Sequence, residues 1–143
     1  MELQADPRVS EFLGALGRDE AEQKVRANEG EWDDRGYGRF AVIERATGRF
    51  IGRVGLKYWT EFDETEVGWA LRPDAWGHGY ATEAAEASID WGFENFDLPY
   101  ITALIEPKNE RSRRVAERLG MSVIREDTHP MGVHVDVFAL FAE

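Results

Sequence analysis

Apolar and polar residues alternate with a period of two over residues 65–71. Val67, Trp69 and Leu71 share one face there, and Glu66, Gly68 and Ala70 share the other. Strand patterns also cover residues 39–45, turned by Ala46, Thr47 and Gly48, and residues 50–58, which carry Gly52 and Gly55. An acidic turn at 61–64 separates the second strand from the third. Over residues 80–96 the period changes to that of a helix, with Ala85, Ile89, Phe93 and Phe96 at helical spacing. Pro99 closes that connection. Residues 100–105 form a short apolar run suited to a covered, central strand. A second helix is predicted over 110–119, with Gly120 at its C-terminal cap. The last strands are predicted at 123–126 and 133–140, the latter alternating Val133, Val135 and Val137 against His134, Asp136 and Phe138. Near the start, residues 19–28 read as a short helix with a weak apolar face of Ala21, Val25 and Ala27. No repeat or linker divides the chain. Strands, helix, strand, helix, strands in that order give an α/β fold around a mixed sheet, with residues 1–143 as a single domain.

Composition narrows the function. Of 143 residues 43% are hydrophobic, enough for a real core. The formal net charge is -11. That balance disfavours nucleic acid, whose phosphates need a basic face, and favours cationic partners such as amines. An anionic cofactor then requires locally concentrated cations. Lys108, Arg111, Arg113, Arg114 and Arg118 cluster in one segment, while Arg72 and His78 stand in the loop before residue 80. They either meet an anion or form an ordinary solvated helix face. With no cysteine, disulfides, thiolate metal sites and a cysteine nucleophile are excluded. No run approaches the ~18 to 20 apolar residues of a membrane span, and residues 1–10 lack the apolar region of a secretory signal. The expectation is a cytoplasmic protein with no membrane partner.

The strand at 65–71, the loop at 72–79 and the helix at 80–96 form a unit with anion-binding character. A helix N-terminus presents unpaired amides and a partial positive charge. Gly77 and Gly79 remove Cβ atoms where a phosphate approaches, Ala81 keeps the first turn narrow, and Thr82 offers a hydroxyl. The plain alternative is a strand-to-helix loop with two turn glycines. No Gly-Lys-Ser/Thr follows, so this is not a P-loop. No third glycine follows either, so it is not a dinucleotide fingerprint.

The stretch Arg72-Pro73-Asp74-Ala75-Trp76-Gly77-His78-Gly79-Tyr80-Ala81-Thr82-Glu83-Ala84 resembles the acetyl-coenzyme A loop of the GNAT N-acetyltransferase superfamily, above all its ribosomal-protein alanine acetyltransferase branch. The superfamily pattern is Gln/Arg-x-x-Gly-x-Gly/Ala. Trp76 holds its first position, Gly79 its fourth and Ala81 its sixth. Pro107-Lys108-Asn109-Glu110-Arg111-Ser112 and Leu119-Gly120-Met121 resemble the same branch's Pro-x-Asn-x-x-Ser and Leu-Gly-Phe signatures. The resemblance covers roughly residues 5–141. It implies a mixed, mostly antiparallel sheet flanked by helices. It implies an enzyme that moves an acetyl group from acetyl-CoA to a primary amine, on a small molecule or peptide, by direct attack. Trp76, Gly77, His78, Gly79, Tyr80, Ala81 and Thr82 then cradle the cofactor pyrophosphate. The strand backbone ending at Leu71 orients the thioester, Asn109 meets the pantetheine arm, and Arg114 and its basic neighbours meet phosphate.

For catalysis, Ser112 is the general-acid candidate, because the tyrosine of many superfamily members would fall at Ala116; a surface or capping hydroxyl is the other reading. Glu66 is the general-base candidate, and an exposed strand glutamate is the other reading. Glu64, His134 and Asp136 are its rivals. Asn109 equally fits a helix N-cap. Trp32, Tyr37, Trp59 and Phe62 line an acceptor pocket, pack in the core or form a dimer contact. The family opens with a strand and a helix, and here Asp6-Pro7-Arg8-Val9 resembles the segment after that helix. The expectation is an N-terminally shortened domain whose strand 39–45 becomes a sheet edge open to homodimerisation. Two further readings stay open: a non-catalytic acyl-CoA-binding module, and a generic anion-binding domain.

Overall fold

The computed structural model describes residues 35–143. In chain order its elements are β1 (Arg39–Ile43), β2 (Phe50–Trp59), β3 (Glu64–Leu71), a 3-10 turn (Pro73–Ala75), α1 (Tyr80–Asn95), β4 (Tyr100–Ile105), α2 (Glu110–Arg118), β5 (Ser122–Thr128) and β6 (His134–Phe141). Each expected element between 39 and 140 is present, with ends moved by at most two residues. The expected helix at 19–28, the family-like segment at 6–9 and Trp32 lie outside the described residues.

Six strands form one sheet in the order β1-β2-β3-β4-β6-β5. Every neighbouring pair is antiparallel except β3 and β4, which run parallel. This is the mixed, mostly antiparallel sheet expected. Val54, Leu56, Val67, Ile101, Ala103 and Phe138 form one buried cluster with Ala85 and Ile89 of α1 and Ala116 of α2. Both described helices therefore cover the same face of the sheet. Gly92 lets α1 come close, since a Cβ there would lie 2.8 Å from a Leu56 methyl.

Local signals end the elements as the sequence requires. Asn109 caps α2, its side-chain oxygen accepting from the Ser112 amide at 3.2 Å. At the other end Gly120 takes the left-handed conformation, φ 85°. The Met121 amide reaches back to the Ala116 carbonyl and the Gly120 amide to the Glu117 carbonyl, both at 3.0 Å, while Met121 itself is buried. That is a Schellman closure with its apolar contact.

A polar staple joins the starts of β3 and β4 to the middle of β5. Glu64 of β3 is buried, yet it receives two guanidinium bonds from Arg125 of β5, at 2.8 and 2.6 Å, and the Tyr100 hydroxyl of β4 at 2.7 Å. Chiefly through Arg125, the Glu64 carboxyl is held below the usual carboxylate range. Arg125→Met leaves a buried carboxylate without its cation. The expected loss is about 2–3 kcal/mol, below the full buried-pair figure because Arg125 is partly exposed. A depressed carboxyl stabilises at neutral pH, and that contribution disappears as pH falls through its lowered pKa. In thermal melts, wild type should exceed the variant at pH 7, and the gap should narrow in acid below about pH 4.

Candidate functional site

Parallel pairing of β3 with β4 consists of one rung, Glu66 opposite Thr102. Past it the strands separate, and a cavity of about 680 Å³ opens between Glu66–Ala70 on one side and residues 103–106 on the other. Glu66, Gly68 and Ala70 point away from the helices, whereas Val67 and Trp69 point toward them. Residues from both faces of β3 line the one cavity, so the opening passes through the sheet.

Glu66 holds the mouth of this split. Its carboxylate accepts the Trp59 indole N–H at 2.9 Å and the Leu104 amide at 3.0 Å, a β4 donor freed by the separation. It is 7% exposed, which removes the reading of a solvated strand glutamate. Burial pushes its carboxyl up, against these two bonds and the nearby charges of Arg39 and His129. The rival bases stand elsewhere. Glu64 is consumed by the staple. His134 is exposed, 3.2 Å from Glu126, and Asp136 pairs with Arg113 at 2.6 Å. Both belong to the helix-facing side of β6, the face opposite Glu66.

Across the split, the N-terminus of α2 supplies Ser112. Its Oγ accepts the Trp69 indole N–H at 3.2 Å. Asn109 lines the same cavity while acting as the helix cap. Ala116 is fully buried and offers no acid. Of the aromatic residues, Trp59 lines the cavity. Tyr37 packs in the core against Phe96 with its hydroxyl on Thr65, and Phe62 lies under Arg125.

The glycine loop borders a separate, shallower hollow, lined by Gly79 and Thr82 of the loop and first helical turn and by Arg118 of α2. The Trp76 indole donates to the Leu71 carbonyl at 3.1 Å, and the Arg111 guanidinium lies 3.4 Å over the Trp76 ring. This clasp ties the loop to both β3 and α2. Gly77 and Gly79 have φ 83° and 77°, and a Cβ at either would meet nothing within 4 Å. Their concave side is therefore open. Gly79 is the N-cap of α1, and the first internal helical bond runs from the Glu83 amide to its carbonyl. The amides of Tyr80, Ala81 and Thr82 precede that bond and remain available. The Thr82 hydroxyl is buried with no hydrogen-bond partner. An open cradle, unspent amides and an orphaned hydroxyl fit a pyrophosphate.

Side chains of the loop divide their roles. His78 stacks on Tyr80, whose hydroxyl turns away to Glu44 at 2.9 Å, so Tyr80 offers the cradle only its amide. Arg114 is exposed and lines neither this cavity nor the shallower hollow beside the loop; Arg118 lines that hollow with Gly79 and Thr82. Sequence reasoning missed Arg39, Arg53, Lys57 and His129 as cavity-lining residues. Arg53 and Lys57 share a strand face that pairs with Glu66 and Ala70, so the β2 alternation could have found them. His129 carried no signal. It reaches the cavity from the β5–β6 turn, its ring edge-on to Trp59 at 4.9 Å.

The sequence profile of the acetyltransferase (GNAT) domain matches residues 1–122. The chain belongs to the GNAT acetyltransferase family. The uncharacterized protein YkkB of Bacillus subtilis (strain 168) is 34% identical over 136 residues, which span 90% of this chain and 78% of YkkB. The crystal structure of an acetyltransferase from Agrobacterium tumefaciens str. C58 matches with a TM-score of 0.77 at 29% identity, covering 99% of this chain and 82% of that one. The yncA structure from Salmonella typhimurium, which contains its cofactor acetyl-CoA, matches with a TM-score of 0.71, covering 85% and 73%. At 21% identity that last likeness speaks for the fold alone.

Two expectations test this GNAT site. Gly79→Asn keeps a residue that tolerates positive φ but puts a side chain into the cradle. Coenzyme A affinity by calorimetry should fall about tenfold or more, with little change in melting temperature, since each lost charge-assisted bond is worth ~1.5–3 kcal/mol. Unchanged affinity would remove the loop from cofactor binding. If Glu66 is the base, it must be ionised to accept a proton, and activity should fall as pH drops through its raised pKa. Trp59→Phe removes a bond to the ionised form and should move the acid limb of kcat/KM upward. The amine's own titration is common to both proteins, so identical limbs would separate Trp59 from that ionisation.

Proposed function

We propose that the chain is an acetyl-CoA-dependent N-acetyltransferase that acts on a primary amine by direct attack in a ternary complex, with residues 1–143 as one catalytic domain. The observation that carries this reading is the split itself. One cavity crosses the sheet with a buried carboxylate, Glu66, on one face and a hydroxyl, Ser112, on the other.

Bound acetyl-CoA would supply an acetyl group activated as a thioester. The residues that fit it are the amides of the 76–82 loop and the Thr82 hydroxyl for the pyrophosphate, with the split between β3 and β4 for the pantetheine arm. Its 3′-phosphate finds cations on α2, where Arg111 and Arg118 flank the loop. The opposite side of the sheet receives the amine. An ammonium has no lone pair, so Glu66, directly or through water, first takes one proton; the neutral amine nitrogen then bonds to the carbonyl carbon and gives up its second proton to water as the adduct collapses. The carbon–sulfur bond breaks toward the helix-facing side, where the Ser112 hydroxyl protonates the sulfur. Attack and departure on opposite faces need no covalent enzyme intermediate, consistent with a chain that has no cysteine.

The acceptor side carries Arg39, Arg53, Lys57 and His129 as well as Glu66 and Glu106. β1 ends the sheet among the described residues, and its edge is where we place a homodimer contact.

A thiol-reactive dye, acetyl-CoA and an amine panel test the activity. Amine-dependent thiol release is expected. Coenzyme A binding without release across the panel would favour an acyl-CoA-binding module instead. Ser112→Ala should lower kcat by about 10²-fold, within the range for a general acid, and leave the KM for acetyl-CoA nearly unchanged. A wild-type rate would remove Ser112 from the mechanism.

A further inference from the structure

A serine in a helix ordinarily spends its hydroxyl proton on its own backbone. Ser88 in α1 does so, donating to the Ala84 carbonyl at 2.9 Å. Ser112 sits in the first turn of α2 and makes no such bond. Its Oγ is the acceptor, and the donor is the indole of Trp69, reaching from β3 at 3.2 Å. Its main-chain amide is fixed separately by the Asn109 side chain. Trp69 packs against the buried cluster through its ring, which holds the N–H in place, and lines the cavity beside Ser112.

From this geometry we infer that Trp69 is the positioning residue that makes Ser112 an effective acid; the inference rests on the acid role proposed above. A hydroxyl has one proton and two lone pairs. With the indole N–H on one lone pair, the proton cannot point toward Trp69 and is turned to the cavity, where the sulfur departs. As the Ser112 O–H bond breaks and the S–H bond forms, negative charge grows on Oγ. The same indole N–H stabilises that charge, and Oγ then recovers, through water, the second proton that the nitrogen loses. Trp69 lines the cavity, but its polar N–H is directed at Ser112. It acts through Ser112 alone.

That last point makes the inference testable by a double-mutant cycle. Trp69→Phe keeps an aromatic ring in the core and removes the N–H. In the wild-type background kcat should fall about tenfold, with the KM for acetyl-CoA within about twofold, as for loss of an interaction made only in the transition state. In the Ser112→Ala background the same substitution should change kcat by less than about twofold, since the two groups act as one unit. An equal fall in both backgrounds would show that the indole merely packs, and would overturn the inference while leaving the acid standing. A wild-type rate for Ser112→Ala would overturn the acid reading itself and this inference with it. Trp69→Tyr, which keeps a ring with a different polar tip, runs the same cycle if Trp69→Phe does not fold.

Discussion

The site depends on an interrupted hydrogen-bond ladder. Parallel strands that start in register normally stay paired, because each rung not made leaves polar groups in need of partners. β3 and β4 make one rung and then part. The Glu66 carboxylate takes the Leu104 amide, one of the groups left over by the parting, so a side chain replaces a strand as its partner. Without such an acceptor, an orphaned buried donor would cost about 1–3 kcal/mol. The group that takes up this amide is the same group proposed to take the proton from the amine. The opening and the base are one feature of β3.

From the opening the remaining parts follow in order. β3 leaves the sheet at Leu71, and Trp76 folds back onto the Leu71 carbonyl, so the loop turns at a fixed place. The turn sets the N-terminus of α1 beside the hollow that Gly79 and Thr82 line with Arg118 of α2. Asn109 starts α2 beside β4, which brings Ser112 against Trp69. Two indoles thus serve the two sides of the split. Trp59 donates to the carboxylate and Trp69 to the hydroxyl. Both rings are held by packing, so each N–H points where its backbone puts it, with little freedom to be lost on binding.

Much of this was legible in the sequence, and the exceptions have physical causes. The strand at 65–71, the helix at 80–96 and the capped helix after Asn109 carry strong local signals: alternation, helical spacing, a cap and a closing glycine. The burial of Glu66 was not legible. A period-two pattern assigns polar positions to solvent, which holds for a sheet with one wet face. Here the second face is also covered, as Thr102, Val135 and Val137 on the side of Glu66 are buried. Phe138, grouped by alternation with His134 and Asp136, proved to be core because that face of β6 is the one the helices cover. The contributions of Arg118 and His129 depend on which elements become neighbours, and spacing along one chain does not carry that. Arg114 illustrates the converse, because membership of a basic cluster in sequence did not bring it to the loop.

A chain of charge -11 proposed to take a polyanionic cofactor poses an electrostatic conflict, and Glu83, Glu86 and Asp90 even share the hollow beside Gly79. Magnitudes decide the matter. A unit charge about 10 Å away in water contributes roughly 0.4 kcal/mol, and salt at physiological strength screens much of that. A phosphate oxygen in contact with a fixed amide gains ~1.5–3 kcal/mol per bond. Three free amides and one hydroxyl at the start of α1 therefore outweigh several exposed carboxylates along its flank. In the proposed role the loop binds through groups that carry no formal charge, which leaves the surface free to be acidic. An acidic surface in turn raises the local concentration of cationic amines, the proposed acceptor. Net charge and cofactor charge conflict only if binding depends on long-range attraction, and a glycine loop on a helix N-terminus makes it depend on contact.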